Sequence, residues 1–257
     1  MKNRYIKHAH ISENKFRQVL RLFCADLTST QIAEVTKINR NTINRILQLL
    51  RARILKLTEE ESYFEAGEIE VDESYFGAKR VRGKRGRGAG GKTKAFGMKK
   101  RGDKVYTQIV SNCSAGELVP IIKKLAPSDS TIYSDEWKAY DGLVNAGYKK
   151  HYRVTHSEDV FANGRAHVNG IENFWGVAKN RLMKMRGITC EKFNLHFKET
   201  EWRFNHRHKN IYKLLLTNLR IYHLNLVENQ TKKALRITSK RFYNPKIYFS
   251  SAFLFVS

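Results

Sequence analysis

Three carboxylates stand in settings that suit metal-assisted chemistry: Asp72 in EIEVDESYFG, Asp135 in STIYSDEWKAY and Glu172 in HVNGIENFWGVAK. The first two lie on or at the end of strand-like segments, and the third opens an amphipathic helix. Hard oxygen donors of this kind bind divalent cations, and a pair of ions can hold both the attacking and the leaving oxygen of a phosphodiester. Each acid also has an ordinary structural use. Asp72 shares a polar strand face with Glu68 and Glu70, opposite Ile69 and Val71, and the residues alone leave Glu70 and Glu73 open as the ligand. Asp135 suits the cap of a helix beginning at Glu136 or Trp137. Asn169 followed three residues later by Glu172 has the form of a capping box.

Composition says what such a site would act on. The chain has 257 residues, enough for one large domain or two smaller ones. Its 48 Lys and Arg against 24 Asp and Glu leave a formal charge of +24. A surplus of that size points to a polyanionic partner, nucleic acid, rather than to a small neutral substrate. No apolar run approaches the roughly 20 residues that cross a bilayer, so no membrane partner is expected. The N-terminal stretch MKNRYIKHAHISENKF lacks the apolar core of a secretory signal. Cys24, Cys113 and Cys190 are far apart and form no CxxC pair, which fits reduced thiols in a cytoplasmic protein. Cys190 with His196, His206 and His208 has no zinc-site spacing.

The elements that must position the acids follow from hydrophobic period. Residues 12–57 read as helical, with Phe16, Val19, Leu20, Leu22 and Phe23 at helical spacing. Within them, residues 28–50 read as helix, short turn, helix. Thr28 or Ser29 suits the first cap and Asn39 the second. Ile32, Ala33, Ile38, Ile43, Ile46 and Leu47 face inward, leaving Arg40, Asn41, Asn44, Arg45 and Gln48 outward. That is the pattern of a helix-turn-helix whose second helix reads base edges in the major groove. Lys37 occupies the turn position where glycine often relieves strain. A Glu-rich segment, 58–67, reads as a linker.

From residue 68 the pattern alternates. Strands are expected at 68–77, 93–102 and 104–113, then a helix at 115–126 and a strand ending at Asp135. A helix over 136–147, a strand over 149–155 and a helix from Gly170 to about Met185 complete the order. The succession is that of an RNase H-like α/β domain: a mixed five-stranded sheet with flanking helices, preceded by a small all-α helix-turn-helix domain. The catalytic-type domain is expected over 68–215, and 216–257 forms a helical, basic tail. The stretch from Lys79, after the first strand, to Arg101, near the end of the second, holds eleven Lys or Arg and no acid. Its glycines disfavour a helix, so Arg82, Lys84, Arg85 and Arg87 are expected on a loop that follows a phosphate backbone. Lys179 lies seven residues after Glu172 and shares its helix face, where it can hold a phosphate. Phe174, Trp175 and Val177 read as core, and His167 as a loop histidine beside the site.

Taken together, VDESYFG, YSDEWKAY and HVNGIENFWGVAKNRL resemble, in order, the three acidic blocks of DDE transposases of bacterial insertion sequences. They are most similar to the group related to the eukaryotic Merlin elements. EWRFNHR at 201–207 resembles the closing block, and the likeness covers roughly residues 10–215. It implies that Asp72, rather than Glu70 or Glu73, acts with Asp135 and Glu172 as catalytic and metal-binding residues. It further implies two Mg²⁺ (or Mn²⁺) ions per active site, cleavage at terminal inverted repeats, and transfer of the 3′-OH ends into target DNA. The partner is then double-stranded DNA, worked on by a homodimer or higher synaptic complex in the bacterial nucleoid, or in the nucleus of a eukaryotic host. The alternatives are a DNA-binding protein that no longer cleaves and an RNase H-like nuclease. The N-terminal zinc ribbon of some relatives has no counterpart here.

Overall fold

The computed structural model describes residues 3–77, 92–135, 147–148, 150–154, 168–185 and 188–225. Residues 79–91 of the basic loop with Arg82, Lys84, Arg85 and Arg87, residues 136–146 of the helix expected over 136–147, His167 and the tail beyond 225 lie outside the described residues. The elements begin with β1 (Ile6–Lys7), α1 (Glu13–Cys24), α2 (Ser29–Thr36), α3 (Arg40–Glu60), β2 (Glu68–Phe76), β3 (Thr93–Lys100) and β4 (Val105–Val110). They continue with α4 (Ala115–Leu125), β5 (Thr131–Asp135), β6 (Lys150–Val154), α5 (Asn169–Met183), α6 (Cys190–Asn205), α7 (Ile211–Ile221) and β7 (Leu224–Asn225).

Two compact units emerge, and their boundary differs from the expected one. The first unit joins residues 3–57 to 191–225, so α6 and α7 belong with the N-terminal helices instead of closing a domain over 68–215. The physical reason is a shared core. Phe16, Leu20, Ile32, Ile43 and Leu50 are buried together with Trp202, Leu215 and Leu219. Glu199, fully buried on α6, accepts from Arg51 Nε at 2.7 Å and from Arg203 Nε at 2.8 Å. Arg203 also donates to the Cys24 carbonyl at 3.0 Å and to that of Phe23, at the C-terminal end of α1. A short parallel pairing of β1 with β7 ties the two stretches again.

Within this unit, α2 opens on a capping box. The Thr28 hydroxyl accepts from the Gln31 N–H, and the Gln31 side chain returns to the Thr28 N–H at 2.9 Å. The chain leaves α2 through Lys37, whose φ of 57° lies in the left-handed region that a lysine enters at a cost of about 1 kcal/mol. Asn39 then caps α3, its Oδ1 accepting from the Asn41 N–H at 2.8 Å. Ile32, Ile43, Ile46 and Leu47 are buried, while Arg40, Asn41, Asn44 and Arg45 are exposed and Gln48 is half-buried.

The second unit contains residues 58–190. Its sheet runs in the order β4-β3-β2-β5-β6, with β2, β3 and β4 antiparallel and β5 and β6 parallel to β2. This mixed five-stranded sheet is compatible with an RNase H-like core. One face, carrying Ile69, Val71, Phe96 and Met98, packs with Leu118, Ile122 and Leu125 of α4. Each fully buried side chain of this size contributes roughly 1.5–3 kcal/mol. Phe64, expected in a linker, is fully buried in this core, and its N–H donates to the Leu125 carbonyl at 3.1 Å. The opposite face of β2 and β3 receives α5. Among the described residues, no helix is long and apolar enough to cross a membrane.

Candidate active site

Strand alternation places Glu68, Glu70 and Asp72 on the face of β2 that meets α5, and Ile69 and Val71 on the other. Glu73 projects to the α4 side, in register with the buried Phe96. In the parallel pair, Glu70 stands opposite Tyr133 of β5. Two residues further along their strands come Asp72 and Asp135, on the same face as that pair. The first turn of α5 carries Glu172, exposed at the helix surface.

Burial pushes the Asp72 carboxyl up to about 7, and the negative charges of Asp135 and Glu172 push in the same direction. Two hydrogen bonds oppose the rise: Asp72 Oδ1 accepts from its neighbour Glu73 N–H at 2.7 Å, and Oδ2 accepts from Trp175 Nε1 at 3.0 Å. Burial leaves the Asp72 carboxylate poorly solvated, and Asp135 and Glu172 add negative charge to its surroundings. The chemistry of this donor set therefore fits a hard divalent cation, which removes that penalty. Among the described residues, no three His, Cys, Asp or Glu side chains already stand in position to hold one ion.

Glycine makes the Trp175 contact feasible. Gly97 of β3 is in register with Asp72, and a Cβ there would lie 2.5 Å from the Trp175 ring and 2.9 Å from Ile171 Cδ1. The indole fills the place of a side chain on β3 and reaches over to Asp72. Trp175, expected only as core, is 4% exposed but also donates to the candidate ligand. Phe174 is buried as expected, whereas Val177, expected in the core, is 42% exposed. The signal that could have found Trp175 was Gly97 itself, since glycine inside a strand often marks close approach of another group.

The capping box expected at Asn169 and Glu172 is not formed. The N-cap residue is Val168, which has no side-chain acceptor. The first turn is instead served from β2: Glu70 Oε2 accepts from the Ile171 N–H at 2.8 Å. Glu70 Oε1 accepts from Arg101 Nε at 3.0 Å, and Arg101 Nη1 also reaches Glu68 at 3.2 Å. Arg101, expected in the basic loop, thus lies just past β3, stacked 3.9 Å over the Tyr133 ring. Lys179 is half-buried on α5. Of the cysteines, Cys24 and Cys113 are half-buried free thiols, and burial raises Cys24 to about 11.

Residues 65–205 match the ISXO2-like transposase domain. An uncharacterized transposase-like protein of Haemophilus influenzae is 43% identical over 102 residues, covering 40% of this chain and 81% of that relative. A protein in the transposable element ISH50 of Halobacterium salinarum is 25% identical over 191 residues, 66% of this chain and 62% of the relative. The matched domain contains β2, β5 and α5, and with them Asp72, Asp135 and Glu172. The chain belongs to the ISXO2-like transposase family of insertion sequences.

Proposed function

We propose that this protein cleaves DNA at the terminal inverted repeats of its element and transfers the resulting 3′-OH ends into target DNA. Asp72, Asp135 and Glu172 hold two Mg²⁺ (or Mn²⁺) ions in this reading. The observation that carries it is the match of residues 65–205 to a transposase domain, with Asp72 and Asp135 on neighbouring strands of one sheet and Glu172 on the helix packed against it. When bound, the ions supply Lewis-acid stabilisation of charge on the attacking and leaving oxygens of the phosphodiester.

The chain's own residues do the rest. Trp175 fixes one oxygen of Asp72 and leaves the direction of the other defined. Lys179, two turns along α5 from Glu172, offers a point charge to a neighbouring phosphate. Arg40, Asn41, Asn44, Arg45 and Gln48 on α3 supply forked donors and acceptors for base edges of the end sequence. Arg82, Lys84, Arg85 and Arg87 add sequence-independent attraction for the backbone. Cutting two ends in concert calls for a dimer or larger assembly, an inference from the family.

A second reading is a protein that binds element ends without cutting them. It is favoured by the exposure of Arg40, Asn41, Asn44 and Arg45 on α3, in a unit that contains none of the three carboxylates. One experiment separates the two. Full-length protein is incubated with Mg²⁺ and a duplex carrying the inverted repeat that flanks the gene. We expect strand cleavage by the native chain and none by Asp72→Asn, with end binding by both. Binding without cleavage by the native chain selects the second reading. Undiminished cleavage by Asp72→Asn removes Asp72 from the mechanism.

A further inference from the structure

We infer that Glu70 is a positioning residue: from β2 it anchors the first turn of α5 and so sets where Glu172 stands relative to Asp72. This rests on the metal-binding reading of Asp72 and Glu172 given above. Glu70 is 1% exposed, and both of its oxygens have named partners, Ile171 N–H at 2.8 Å and Arg101 Nε at 3.0 Å. A buried carboxylate persists only where its charge and lone pairs are met. Here Arg101 meets the charge, and the Ile171 N–H at the start of α5, shared with the Val168 carbonyl at 3.2 Å, takes the other oxygen. The helix has no side-chain cap of its own at Val168.

Close approach is built in from the other side. A Cβ at Gly170 would lie 2.7 Å from Glu70 Oε2 and 3.0 Å from Lys99 Cδ. Only a bare backbone at residue 170 lets the helix start come this near to the sheet. The contact falls at Ile171, immediately before Glu172. One turn further along α5, Trp175 makes the second link, to Asp72. Two hydrogen bonds from alternate residues of one strand thus hold the helix in both height and rotation. Glu172 reaches the neighbourhood of Asp72 because Glu70 holds the turn that bears it. Groups that orient metal ligands without touching the ion commonly change affinity by about 10–100-fold when removed.

The test uses full-length protein with Mn²⁺ alone, its binding followed by electron paramagnetic resonance, and amide hydrogen exchange at Ile171 and Glu172. Glu70→Ala should weaken Mn²⁺ binding by about tenfold or more and speed exchange in the first turn of α5. Glu70→Gln keeps an acceptor for the Ile171 N–H and should stay within about twofold of native binding. Gly170→Ala guards against a folding defect in Glu70→Ala. Alanine favours the helix, so a role in helix stability alone predicts slower exchange and unchanged Mn²⁺ binding. Displacement of Glu70 predicts faster exchange and weaker binding. Native exchange and native Mn²⁺ affinity in Glu70→Ala and Gly170→Ala, with Asp72→Asn unable to bind Mn²⁺, overturns the positioning role and leaves the metal site standing. Native Mn²⁺ affinity in Asp72→Asn overturns both.

Discussion

Asp72 gathers the competing forces of the site on one side chain. Burial and two neighbouring carboxylates raise its acid to about 7, against the lowering effect of the Glu73 and Trp175 hydrogen bonds. A carboxyl raised above its unfolded value binds its proton more tightly in the folded state. Its contribution to stability is full below about pH 4 and is lost as pH rises to about 7, beyond which the loss is constant. In metal-free protein, Asp72→Asn should therefore gain stability relative to the native chain across that window, by about 2–4 kcal/mol at pH 8. Thermal unfolding of both proteins in chelator, from pH 4 to pH 8, measures this. Parallel stability curves would mean that Asp72 is not held as an unfavourable anion. Sequence reading found Asp72 but left Glu70 and Glu73 as equals until a family resemblance chose among them. The tertiary structure separates them physically: Glu73 faces the α4 side, Glu70 serves the start of α5, and Asp72 accepts from Trp175 on the face that α5 covers.

At the scale of elements, α5 seated on β2 and β3 is the working part. Its seat depends on which glycines have room beside them. Gly97→Ala drives a methyl group into the Trp175 ring, an overpacking expected to cost about 1–3 kcal/mol and to pull the indole from Asp72. A Cβ at Gly176, on the same helix, would meet nothing within 4 Å, so Gly176→Ala should stabilise by about 0.5–1 kcal/mol. Denaturant unfolding of the two variants should move in opposite directions, and Mg²⁺-dependent cleavage should fall only for Gly97→Ala. Equal effects would show that the close approach of Trp175 to β3 does not matter. The order of strands and helices was legible because alternation and helical period are local properties. Which glycine meets a ring from another element was not, because that depends on a register between segments far apart in the chain.

The whole molecule is organised by a core that sequence order conceals. Residues 3–57 close only with α6 and α7, through Trp202, Leu215 and Leu219 and through Glu199 between Arg51 and Arg203. Without Glu199, Arg51 is left as a buried charge lacking its carboxylate, a change that typically costs about 3–5 kcal/mol. A fragment of residues 1–60 should therefore show no cooperative unfolding by circular dichroism. The same fragment joined to residues 188–225 through a long flexible linker should regain it. A cooperatively folded 1–60 fragment would restore the independent N-terminal domain expected from sequence. The +24 charge, by contrast, needs no fold to be understood. It marks attraction for a polyanion and says nothing about which surface binds it.

By itself, the sequence determined the three carboxylates, their placement on two strands and a helix, the inward and outward faces of α2 and α3, and the basic character of the chain. These depend on residue type and on periods of two or 3.6 residues. Only the tertiary structure decided that the start of α5 is capped from β2, that a tryptophan touches Asp72, and that the last helices complete the first unit. A backbone N–H donates to any suitable oxygen within reach, and local sequence named Asn169 and Glu172 as the nearest candidates. The fold brought Glu70 there first, from 101 residues away, and left Glu172 out of that pairing.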